Sequence, residues 1–312
     1  MIKFILSVFV IIVLSGTFAY SQSPPVYICK VDDKNDILLE DHITREKNRD
    51  KLSDPHTYYE KYTMSIIDML VSTGYYRDKE SVYYFDKELK EFENYTDIKI
   101  GETFFISTPD YVYKTTVIGY KIFLEDAAGV GNIFYVVLEN PEPANTMMGG
   151  LCIASINSTM KNLDTIGVTD SRITEKFKDF IKKIIPDNIV QENDFNPYES
   201  FKVFGGHFVN EIRMPQRPTR QYLVSYLKRT SPETYSSVIN IYDEDGVLLK
   251  EFLPVQIDSF DYRSVIGVAD VNNDGKEEIL TEWGYYEGLG SEIYKFDGEN
   301  FIKIADGFFY GI

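Results

Sequence analysis

The chain has 312 residues, enough for about two domains of ordinary size, and 44% of them are hydrophobic, which excludes disorder as the default state. Its 49 acidic and 32 basic residues give a formal charge of −17, a surface that repels nucleic acid and anionic lipid. The 24 Tyr and 21 Phe favour pleated, half-buried surfaces, so the composition leans toward β structure.

The chain opens MIKFILSVFVIIVLSGTFAYSQS, with Lys3, an unbroken apolar run from Phe4 to Leu14, and small residues around Ala19-Tyr20-Ser21. This pattern predicts a secretory signal peptide over residues 1–23, too short and wrongly flanked for a stable membrane span. Its removal takes Lys3 and leaves a net charge of −17 − 1 = −18. In Leu14 to Thr17, a threonine stands where a lipoprotein box would carry its cysteine. The expected location is secreted, periplasmic or extracellular. In such an oxidising compartment Cys29 and Cys152 can form one disulfide; two buried thiols fit the sequence as well, because sequence gives no distance.

Residues 24–193 read as one α+β domain with an antiparallel β meander or small barrel. YICKVDD is a short strand. HTYYEKYTMSIIDMLVSTGYY has Tyr62, Ile66, Met69, Leu70 and Thr73 near helical spacing, with Gly74 as a stop, and predicts an amphipathic helix. SVYYFDKELKEFENY is ambiguous between strand and helix. GETFFIST, YVYKTTVIGYKIFLED, NIFYVVLEN and GGLCIASI read as strands separated by turn residues. DSRITEKFKDFIKKIIP predicts a helix capped by Asp170 or Ser171, apolar at Phe177, Phe180, Ile181, Ile184 and Ile185, and ended by Pro186. The polar stretch DNIVQENDFNP places a boundary near Asn193 to Pro197.

Residues 198–312 read as an all-β domain with an internal echo. Ile241, Tyr242, Asp245 and Gly246 recur 52 positions later as Ile293, Tyr294, Asp297 and Gly298. Asp-Gly between apolar runs signals a hairpin turn, since glycine accepts positive φ. Strands precede both copies, at Tyr222–Tyr226 and Ile279–Trp283. A period near 50 describes propeller-blade-like antiparallel units.

Between the copies lies ADVNNDGKEEIL, residues 269–280. Asp270, Asn272 and Asp274 place oxygens at alternate positions of a tight turn, Gly275 permits the bend, the Lys276 carbonyl can add an oxygen, and Glu278 adds a carboxylate. Hard oxygens in this number suit Ca²⁺, and three carboxylates crowded without a cation repel one another. An EF-hand needs a bidentate Glu at the twelfth place, where Thr281 stands. The Asp-x-Asn-x-Asp-Gly-x-x-Glu pattern leading into a strand resembles the calcium loop of FG-GAP and VCBS repeats, units of integrin-like β-propellers. The resemblance covers about forty residues, from SVIGVAD to FIKI, with a degenerate earlier copy near Tyr222 that lacks the acidic loop. It implies that Asp270, Asn272, Asp274, Lys276 (backbone) and Glu278 hold a structural Ca²⁺. Two units are fewer than the roughly four to eight blades of a closed propeller, which implies a blade pair packed on itself or on the preceding domain.

No catalytic constellation emerges. The histidines are His42, His56 and His207, none in a zinc motif, and there is no Gly-x-Ser-x-Gly elbow or phosphate-cradling loop. Asn94-Tyr95-Thr96 and Asn157-Ser158-Thr159 match the N-glycosylation pattern. The expected function is an exported, non-enzymatic binding or scaffold protein for a protein or glycan ligand; the alternative is a secreted hydrolase acting on glycan or peptide.

Overall fold

The computed structural model describes residues 24–31, 36–43, 82–85, 96–123, 133–140, 151–165, 170–184, 206–213, 219–231, 233–285, 288–297 and 299–311. The expected signal peptide, the helix expected around residues 56–76 and the linker expected before Pro197 lie outside them.

Seven strands come from the first half: β1 (Val26–Val31), β2 (Ile37–Leu39), β3 (Val82–Phe85), β4 (Thr103–Ser107), β5 (Val112–Phe123), β6 (Ile133–Leu138) and β7 (Leu151–Ser155). All pair antiparallel, in the order β3-β5-β4-β7-β1-β2-β6. Strand β5 has 12 residues and pairs with three neighbours, β4, β6 and β3. Val112–Thr116 pair with β4, and Val117–Phe123 pair with β6. That second pairing closes a six-stranded barrel from β5, β4, β7, β1, β2 and β6. Of the ambiguous segment Ser81–Tyr95, Val82–Phe85 form strand β3, laid on the far half of β5, and the rest lies outside the described residues.

This corrects the α+β class expected for residues 24–193. The described part of that region is a β-barrel, and its one described long helix packs elsewhere. The cause is visible in strands that are apolar on both faces. Tyr27, Cys29 and Val31 of β1 fill the barrel with Ile37, Leu39, Phe104 and Ile106. The alternate residues Val26 and Ile28, with Leu38, Val137 and Ile153, form a second core on the outside of the same wall. Successive side chains of a strand point to opposite faces, so an unbroken apolar strand needs a cover on each.

The second half supplies the cover. Strands β8 (Gly206–Ile212), β9 (Gln221–Arg229), β10 (Tyr235–Asp243) and β11 (Leu248–Ser259) form one four-stranded antiparallel meander. Strands β12 (Tyr262–Ala269), β13 (Glu278–Tyr285), β14 (Gly288–Phe296) and β15 (Phe301–Gly311) form another. Leu280, Ile293, Ala305 and Phe308 of the β12–β15 sheet pack on the barrel wall. Its other face sends Val265, Ile279 and Tyr294 into a core with Leu223, Ile239 and Ile241 of the β8–β11 sheet. The echoed residues Asp245-Gly246 and Asp297 lie in the turns after β10 and β14. In each turn an aspartate carboxylate accepts backbone N–H groups: Asp243 from Asp245 and Val247, and Asp297 from Glu299 and Asn300.

Helix α1 (Ser171–Ile184) caps the remaining face of the β8–β11 sheet. Asp170 is its cap: the carboxylate accepts from Arg172 N at 2.9 Å, and the carbonyl accepts from Ile173 N. Phe177 is buried against the rings of Tyr222 and Tyr242. The layers therefore run barrel, β12–β15, β8–β11, helix. No helix among the described residues is long and apolar enough to cross a membrane.

The outer edge of β12 would be open in an isolated sheet, and it is closed in two ways. Arg263 N and Val265 N donate to the hydroxyls of Ser237 and Ser225, both buried on the neighbouring sheet. Further along, Asp164 pairs with Val268 through two main-chain bonds of 2.8 and 3.0 Å. The segment bearing Asp164 leads on from β7, so it straps the barrel to the sheet.

Candidate functional site

The acidic loop connects β12 to β13. Asn273 and Gly275 take positive φ (58° and 81°), folding the chain back within a few residues. The five residues expected to hold a cation are together on this loop, but most of their oxygens are held by the loop itself. The two carboxylate oxygens of Asp270 accept from Asp274 N and Gly275 N, each at 3.0 Å. Asn272 Oδ1 accepts from Asp274 N at 2.9 Å, and Asp274 Oδ1 from Lys276 N at 2.9 Å. Glu278 is buried beneath them, its Oε2 accepting from Val271 N at 2.8 Å and its Oε1 from Asn272 Nδ2 at 3.2 Å.

A side chain outside the motif joins the set. Lys295 of β14 places its ammonium 3.3 Å from Asp274 Oδ2 and 3.8 Å from Glu278 Oε1. The β13–β14 register pairs Ile279 with Tyr294, so the next step brings Lys295 opposite Glu278. Among the described residues no three His, Cys, Asp or Glu side chains converge into a group able to hold a metal ion. The donor set nonetheless suits a hard cation: three carboxylates and an amide oxygen, with at most one N–H claimed on most oxygens and lone pairs to spare. Asp270, Asn272, Asp274 and Glu278 would hold it, and Lys295 would have to yield its place.

The loop is also clamped from the barrel side. Lys161 N donates to the Asp270 carbonyl at 3.0 Å, and Asn157 Nδ2 to the Val271 carbonyl at 2.7 Å. The amide that a glycosylation signal would offer is thus engaged in a hydrogen bond. Sequence reasoning missed both clamps, because they join residues 114 (Asn157 to Val271) and 270 − 161 = 109 (Lys161 to Asp270) positions apart.

Electrostatics follow burial. Burial pushes Glu278 up to about 7, reinforced by the charges of Asp274 and Asp270 and opposed by the Val271 N–H and by Lys295. Glu277 and Glu282 are also raised, mainly by burial. A carboxyl raised in the folded state stabilises below its ordinary value, and that contribution fades as pH climbs through the folded value. For Glu278 the window runs from 4.5 to about 7. In a chelating buffer, the melting temperature should therefore fall between pH 5 and pH 8 because of these groups, and Glu278→Gln should flatten the fall. A thermal-melt series across that range checks it.

His42 is buried, its ring 5.5 Å from that of Tyr27, and its Nε2 donates to the Ile304 carbonyl at 3.2 Å. His207 lies in β8 opposite Tyr226, and His56 is outside the described residues. Comparison with protein-family models, with curated proteins and with solved structures finds no match to this chain.

Proposed function

We propose that the chain is an exported, non-enzymatic binding or scaffold protein whose 270–278 loop takes a structural Ca²⁺, as its resemblance to FG-GAP and VCBS loops implies. The observation that carries this reading is the hard-oxygen loop of Asp270, Asn272, Asp274 and buried Glu278, tied to both the barrel strap and β14. A divalent ion there would draw these carboxylates together and stiffen the junction of barrel and sheets. A polar surface carried on stacked sheets is suited to holding a ligand.

Calorimetry tests the ion. A ligand at about 100 times its dissociation constant stabilises by about 2.7 kcal/mol. Millimolar calcium should raise the melting temperature of the wild type by several degrees over chelator, and Asp274→Ala should abolish the difference. Identical melts of the wild type with calcium and with chelator would refute the calcium site.

A further inference from the structure

Resting on the binding-protein reading above, we infer that the face carrying Trp283, Tyr285 and Arg263 is a binding surface for a carboxylate-bearing saccharide. Along β13 the alternate residues Ile279 and Thr281 are buried in the inter-sheet core, whereas Trp283 and Tyr285 on the same face are only half-buried. The core therefore gives way to an aromatic rim. The two rings are nearly parallel, 9° apart, with centroids at 6.1 Å. A Cβ at the cross-strand partner Gly290 would stand 2.7 Å from Trp283 Cζ2, so the indole lies against bare backbone. Parallel rings settled on a sheet offer a flat apolar platform, which the C–H face of a pyranose matches.

The other cross-strand partner of Trp283 is Arg263. Its Nη1 donates to Glu292 Oε2 at 2.6 Å and to the Tyr294 hydroxyl at 3.4 Å. Glu292 is itself buried and fixed by the Tyr294 hydroxyl at 2.7 Å and by Lys303 Nζ at 3.4 Å. The guanidinium is thus held at one corner. Its Nε and Nη2 hydrogens engage no protein group among the described residues, and its side chain is 32% exposed. A guanidinium positioned in this way presents a planar fork that matches a carboxylate. Lys303, 45% exposed, adds a second cation, and Asp306, bound to it at 3.1 Å, is an acceptor for sugar hydroxyls.

The charge balance selects among anions. Glu292 and Asp306 beside the two cations oppose the higher charge of a phosphate more than the single charge of a carboxylate. The acidity of the whole chain repels anions at long range, but ionic strength screens that repulsion beyond about 8 Å. The local guanidinium and ammonium then decide.

The chain has a single tryptophan, and it lies in this face. Its emission is therefore a direct readout. Sialyllactose and trigalacturonate, titrated in chelating buffer, should change that emission with dissociation constants of about 0.1–1 mM. Lactose and maltotriose should bind at least about tenfold more weakly. Arg263→Lys keeps the charge but loses the fork and should remove that discrimination. Trp283→Phe, followed by calorimetry, should weaken the acidic probes about tenfold. Melting temperatures within a few degrees of wild type show that both variants are folded. Unchanged emission with both acidic probes up to about 10 mM overturns the inference, as does equal binding of neutral and acidic sugars. The calcium melts stand or fall independently. Cleavage of a bound probe would refute the non-enzymatic reading and leave the binding surface in place.

Discussion

Urea unfolding of a Cys29→Ala/Cys152→Ala double variant is expected to show a loss of about 4–5 kcal/mol relative to wild type, the loop-entropy value for a closure of this length. The two cysteines are cross-strand partners in β1 and β7, with Cα atoms 5.1 Å apart, and they form a disulfide over a separation of 123 residues. Folded proteins rest on about 5–15 kcal/mol in total, so this one bond carries a large part of it. Both sulfurs are buried in the barrel core, and a small cavity term adds to the cost. Wild type in excess reductant should approach the variant once unfolding exposes the bond. An unchanged midpoint in the double variant would show that the barrel owes the bond little. Of the two states the sequence left open, the structure holds the bonded one.

Gly267→Ala is expected to cost about 3 kcal/mol, from overpacking together with weakened hydrogen bonds. A methyl at that position would meet the Asp164 carbonyl at 2.8 Å and Leu163 Cδ1 at 2.9 Å. Leu163 is fully buried. The strap cannot retreat without loosening the paired bonds between Asp164 and Val268. Leu163→Ala alone should cost about 2–5 kcal/mol. A double-mutant cycle should show the two changes to be non-additive, since truncating Leu163 relieves part of the clash. Additive losses would mean that the strap does not press on β12.

Much of the local structure was legible. The turn residues bounding FFIS, FYVVL and CIAS marked β4, β6 and β7, and Asp170 with Phe177 marked the helix. What covers each apolar face was not. Val26 and Ile28 are as apolar as Tyr27 and Cys29, and nothing in β1 says that one set faces the barrel and the other a sheet more than 200 residues on. Likewise Phe177 would suit any sheet, and it chose β9 and β10 over the barrel. The acidic loop shows the same division. Its oxygens were readable from spacing, whereas Lys295 depended on hairpin register and Asn157 on barrel docking. Arg263 and Glu292 lie two strands apart, so only the register of β12, β13 and β14 reveals their ion pair.

The β12–β15 sheet has an apolar core on each side, and it follows in the chain the barrel strands it covers. Val26, Ile28 and Leu38 are covered only once Ala305 and Phe308 of β15 dock on them. Until that docking, the outer flank of the barrel wall stays apolar and uncovered. A chaperone that shields such flanks, or fast docking of the sheet, decides how much of the chain escapes aggregation.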